Sequence, residues 1–187
     1  MHVEYKQRQQ REEEVASPPR IQKWRKPDRG KVSICTDAGV FDSGGIGLGV
    51  VARDGDGSFL FAAAKRVPGE WRPELAEAMA AEFGVQMAAQ LHFTDMVLES
   101  DCLTLIQKLH NPARQQDELG VLGRSIRRLL EETGRGEWKH ICREANEAAH
   151  VMAHAYTGWN ERVVWVDRPP NFLLDQLLQV NVTTSLD

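Results

Sequence analysis

Lys31-Val-Ser-Ile-Cys-Thr-Asp37-Ala-Gly39 is the stretch whose reading decides the fold. Alternation places Val32, Ile34 and Thr36 on one face of a strand, and Ser33, Cys35 and Asp37 on the other. Aspartate is a poor strand residue, so the strand is expected to span 31–37 and to turn at Ala38-Gly39. A carboxylate at a strand end is by itself a common turn former. Asp37 gains weight because two more carboxylates and a histidine stand at comparable points downstream.

Working outward, Ile46–Arg53 and Ser58–Val67 read as a second and third strand. Asp54-Gly-Asp-Gly57 joins them, a hairpin turn whose residues tolerate positive φ. Short turns imply an antiparallel meander. The glycines of this region precede a strand, not a helix, which excludes a phosphate-binding loop. A helix is expected over 73–90, with proline at its start and glutamate in its first turn. Leu75, Met79, Phe83 and Met87 make its apolar stripe. Glu77 shares another stripe with Ala81, Gly84 and Ala88, small neighbours that let a helix approach another layer closely. A fourth strand, 96–100, runs into Asp101, which is also well placed to cap a helix beginning at Cys102. A helix over 117–132, a fifth strand over 137–143 and a last helix over 144–158 complete the pattern. The order β-β-β-α-β-α-α-β-α predicts an α/β fold with a five-stranded mixed sheet, a three-stranded antiparallel meander plus two parallel strands, flanked by helices. If the first and fourth strands are parallel neighbours, Asp37 and Asp101 emerge together at their carboxyl ends, where such sheets carry their sites.

Residues 1–26 are polar and charge-mixed and read as a disordered lead-in or linker. Residues 27–160 form the domain, and 161–187 are an apolar extension expected to pack on the domain or on a protein partner. With 187 residues, 42% of them hydrophobic, the chain can bury one ordinary core. No apolar run is long enough to span a membrane. The first residues lack an apolar signal region, and Cys35, Cys102 and Cys142 are scattered like reduced core thiols. An intracellular setting is expected, with cytoplasm and nucleus not distinguished. A net charge of −4 argues against gripping nucleic acid by bulk charge, but suits a carboxylate site that a divalent cation neutralises.

Four blocks in order carry a resemblance: Thr36-Asp37-Ala-Gly39, Glu77 within Glu74-Leu-Ala-Glu-Ala-Met-Ala80, Glu99-Ser-Asp101, and Arg143-Glu-Ala-Asn146-Glu-Ala-Ala-His150. Together they resemble the ribonuclease H family, and more closely its plant, reverse-transcriptase-like, retroelement-derived branch. Trp24-Arg-Lys-Pro27 and Asp167-Arg-Pro-Pro-Asn-Phe-Leu-Leu-Asp175 resemble the same branch, so the likeness covers about residues 24–178. The resemblance implies a ribonuclease H-like fold and a metal-dependent endonuclease that hydrolyses the RNA strand of RNA–DNA hybrids with two divalent ions. Asp37, Glu77 and Asp101 match the catalytic, metal-holding carboxylates, and Arg143 and Asn146 are candidates to contact nucleic acid. Magnesium suits oxygen ligands of this kind. His150 departs from the pattern, since the family has a fourth carboxylate there. An imidazole holds magnesium less well and favours Mn2+, so weak activity is one expectation. The other is a catalytically silent, domesticated module that binds nucleic acid or protein. His150 and His154 also have the spacing of a zinc pair, but nothing nearby completes such a site.

Overall fold

The computed structural model describes residues 22–111, 117–155, 158 and 161–179. Its strands are β1 (Val32–Val40), β2 (Ile46–Arg53), β3 (Phe59–Val67), β4 (Met96–Ser100), β5 (Glu137–His140) and β6 (Arg162–Val166). Its α-helices are α1 (Pro73–Gln90), α2 (Leu103–His110), α3 (Glu118–Glu132), α4 (Glu147–Ala153) and α5 (Leu174–Leu177). One sheet runs in the order β5-β4-β1-β2-β3-β6. β1 pairs parallel with β4 and β4 with β5, while the other neighbours are antiparallel.

Among the described residues the sheet therefore has six strands, one more than expected. The sixth comes from the extension: Val163, Val164, Trp165 and Val166 add to the open edge of β3. Leu173, 0% exposed, then packs with Val51, Ala62, Ala64, Ala148 and Met152. One residue of the expected lead-in reaches the core. Trp24 is only 2% exposed and belongs to the core, because its ring and N–H both find partners there. The rest of the expected lead-in, residues 1–21, lies outside the described residues.

β1 does not stop at Asp37 but continues to Val40. The reason lies in β2, whose ladder runs on through Asp37↔Gly49, Gly39↔Gly47 and Val40↔Ile46. A Cβ on Gly47 or Gly49 would collide with the backbone of Ala153, so these glycines let α4 lie directly on the sheet. On the other face a Cβ on Gly84 would stand 2.6 Å from Thr36 Cγ2, so α1 sits equally close to β1. Ile34, Val50, Leu98, Phe61 and the inner faces of α1 and α3 form the larger core under α1. β5 ends at His140, and a 3₁₀ turn (Arg143–Ala145) precedes α4, which is shorter than expected because it begins only at Glu147 and ends at Ala153. Part of the stretch expected to continue that helix lies outside the described residues. Among the described residues no helix is long and apolar enough to cross a membrane.

Candidate active site

The pairing of β1 with β4 sets Cys35 level with Glu99. Two residues farther along each parallel strand stand Asp37 and Asp101, so both carboxylates leave the sheet at one level. Asp101 follows the last residue of β4 and is freed from the role of helix cap. Cys102 occupies the N-cap position of α2, and its N–H donates to Ser100 Oγ at 3.1 Å. Glu77 arrives from the first turns of α1, which the close contact at Gly84 holds against β1. One oxygen from each of Asp37, Glu77 and Asp101 lies within 4.8 Å of the others.

The electrostatics of this cluster are unfavourable without a cation. Burial raises the carboxyl of Glu77 to about 9, with repulsion from Asp37 and Asp101 adding to it. Burial also raises Asp37, opposed by the hydrogen bond from His150. Glu77 Oε2 is buried and has no hydrogen-bond partner. An orphaned oxygen on a carboxylate gathered with two others fits a hard divalent cation, and the all-oxygen donor set fits magnesium or manganese.

His150 projects from α4 to Asp37, its Nδ1 2.8 Å from Asp37 Oδ2. It thus takes up one oxygen of the central carboxylate. The His154 ring lies 4.4 Å from the His150 ring and its Nδ1 bonds the His150 carbonyl at 2.9 Å. The two rings thus lie one turn apart at the end of α4, tilted by 53° to each other, and among the described residues the group of three side chains able to hold a metal is Asp37, Glu77 and Asp101. Asn146 is 1% exposed. Its Nδ2 donates to Thr36 O at 2.9 Å and to Asp101 Oδ1 at 3.2 Å, tying β1 to Asp101 just where β4 stops. Arg143 is exposed at the start of the 3₁₀ turn.

Sequence reasoning quoted Glu99 beside Asp101 but gave no role to it; it is 0% exposed. Its Oε2 accepts from Trp24 Nε1 at 2.8 Å, Ser33 Oγ at 2.9 Å and Cys35 Sγ at 3.1 Å. Its Oε1 lacks a well-angled hydrogen bond but forms an ion pair with Lys139 Nζ at 2.7 Å. The available signal was a charged residue inside the otherwise apolar Met96-Val-Leu-Glu-Ser100. The same burial pushes the Cys35 thiol up to about 12, so it is inert.

A family model described as reverse transcriptase-like matches residues 36–156. No relative was found among curated protein sequences. Solved structures share the fold. Ribonuclease H1 of the archaeon Halobacterium salinarum is 24% identical, with a TM-score of 0.59 over 66% of this chain and 94% of that one. The N-terminal ribonuclease H domain of a Mycobacterium tuberculosis protein is 21% identical, with a TM-score of 0.58 over 66% and 90%. The compost-metagenome LC11 ribonuclease H1, solved with an RNA/DNA hybrid, is 21% identical, with a TM-score of 0.56 over 65% and 92%.

Proposed function

Because the chain belongs to the reverse transcriptase-like family, we propose that it is a divalent-metal-dependent endonuclease that hydrolyses the RNA strand of RNA–DNA hybrids. The observation that carries this reading is the convergence of Asp37, Glu77 and Asp101 from three elements, with Glu77 Oε2 left unpartnered. A cluster that repels itself has no structural use, whereas a nuclease needs such a cluster to gather cations at a phosphate. Two divalent ions, held by these carboxylates and more weakly on the side of His150, would neutralise the scissile phosphate and lower the pKa of the attacking water.

The chain's own groups prepare the site. Asn146 fixes Asp101 against β1, and packing of α1 on β1 fixes Glu77. His150 orients Asp37 and opposes the rise that burial imposes on its carboxyl. Arg143, exposed beside this end of the sheet, is a contact for a backbone phosphate, and Asn146 stands behind it as a positioning group. The imidazole at position 150 makes Mn2+ the better cofactor than Mg2+.

The test is cleavage of a labelled RNA–DNA hybrid by the purified protein in Mg2+ and, separately, in Mn2+, with Asp37→Asn as control. Cleavage that Asp37→Asn abolishes supports the reading. Absence of cleavage in both metals by folded protein refutes it. The hydrogen bond between His150 and Asp37 favours one second reading, a silent nucleic-acid-binding module, in which the imidazole replaces a cation at the central carboxylate. Hybrid binding without cleavage is the result that selects it.

A further inference from the structure

His150 and His154 stand one turn apart at the end of α4, with ring centroids 4.4 Å apart. Residues four apart project from the same side of a helix. The Nδ1 of each ring settles its tautomer. His154 Nδ1 lies 2.9 Å from the His150 carbonyl oxygen, which can only accept, so this nitrogen carries a proton. His150 Nδ1 lies 2.8 Å from Asp37 Oδ2, and as the donor to that carboxylate it carries its proton too. In a neutral imidazole one nitrogen donates and the other holds a lone pair. Both rings therefore present a basic Nε2, and among the described residues neither Nε2 forms a hydrogen bond.

A metal-binding histidine has this arrangement: one nitrogen is held by a carboxylate or a backbone carbonyl, and the other offers its lone pair to the ion. Here one ring has the carboxylate and the other has the carbonyl. The fold also makes room for the outer ring. A Cβ on Gly39 would stand 2.8 Å from His154 Cε1, so the absence of a side chain there gives the imidazole its place on β1. Phe41 flanks it, with 6.0 Å between centroids. Two imidazoles sharing a tetrahedral ion at about 2.0–2.1 Å from nitrogen have centroids roughly 5 Å apart, close to the spacing of this pair. His154 is exposed and His150 partly so, which leaves the approach open to solvent.

We propose that His150 and His154 bind, through their Nε2 atoms, one divalent transition-metal ion that prefers nitrogen ligands, of the class of Ni2+ or Zn2+. Such ions suit imidazole, whereas Mg2+ suits oxygen. The sequence offers no third protein ligand, so water completes the coordination. The ion is additional to those that Asp37, Glu77 and Asp101 would gather, and the negative charge of that cluster favours a cation beside it. Asp37 orients the His150 ring from behind, as the outer partner of a ligating histidine does. The site does not rest on the nuclease reading, since it needs the two imidazoles and their acceptors and no nucleic acid.

The test is isothermal titration calorimetry of Ni2+ into the untagged full chain, with excess Mg2+ present to occupy the carboxylates. The wild-type chain should bind Ni2+ under these conditions. His154→Ala should weaken that binding at least about tenfold, and His154→Gln should fail in the same way. Both changes fall on an exposed ring outside the core, so the fold is kept. Glu77→Gln removes a carboxylate but neither imidazole, and should bind Ni2+ as wild type does. Ni2+ binding that survives undiminished in both His154 variants places the ion on another group and overturns the site. Binding that excess Mg2+ or Glu77→Gln abolishes also overturns it, because the ion then sits among the carboxylates. A wild-type chain that binds no Ni2+ overturns it outright. None of these results bears on the nuclease reading, which stands or falls on hybrid cleavage.

Discussion

Replacing Glu77 with glutamine is expected to stabilise the metal-free protein at neutral and alkaline pH. In the unfolded chain this carboxyl titrates near 4.5, and in the fold it is held up to about 9, first by burial and then by repulsion from Asp37 and Asp101. Folding therefore takes up a proton across that window. The stability contributed by the neutral form is complete below pH 4.5 and is lost progressively as the pH climbs toward 9. At about 1.36 kcal/mol per pH unit, raising the pH to about 7.5 removes at most about 4 kcal/mol. Relaxation and water entry bring the realised cost to about 2 kcal/mol. Glutamine has no charge to bury, so Glu77→Gln in EDTA should melt about 4–8 °C above wild type at pH 7.5. The gap should close as the pH approaches 4.5. Differential scanning fluorimetry over this range, with and without Mn2+, measures it. Added metal should raise the wild-type melting temperature and reduce the gap, because a bound cation compensates the buried charge. Equal melting temperatures in EDTA at pH 7.5, or a gap indifferent to pH, would refute the claim that desolvated charge governs this cluster.

His150→Asp adds a fourth carboxylate beside Asp37, so the metal-free protein should lose stability while Mg2+ binding tightens on the order of tenfold, read by isothermal titration calorimetry. Trp24→Phe keeps the ring over Arg53 but removes the N–H donor from Glu99, and urea unfolding should show a loss of about 1–3 kcal/mol. Leu173→Ala opens a cavity against Ala148 and Met152, which should cost about 2–5 kcal/mol in the same assay. A loss below 1 kcal/mol would mean that the extension contributes little to the domain.

Most of the architecture is legible in the residue order because its signals are local. Alternation around Ile34 and Cys35, the Asp-Gly turn at 54–57, the proline that opens α1 and the apolar stripe of α3 each act within a few residues. Parallel pairing of β1 and β4 then follows from the crossover through α1, and with it the nearness of Asp37 and Asp101. Other features depend on contacts between distant segments, which no local pattern specifies. The end of β1 is set by the length of β2 beside it, not by the preference of Asp37. The extension becomes a sixth strand because β3 offers an open edge. Trp24 leaves a polar lead-in for the core because Glu99 and Arg53 wait there, 75 and 29 positions away in the chain. His150 can be recognised in the sequence as a departure from the family pattern. Its bond to Asp37 arises only where α4 crosses the glycines of β2, since a hydrogen bond spanning 113 residues exists only once the backbone has brought its ends together.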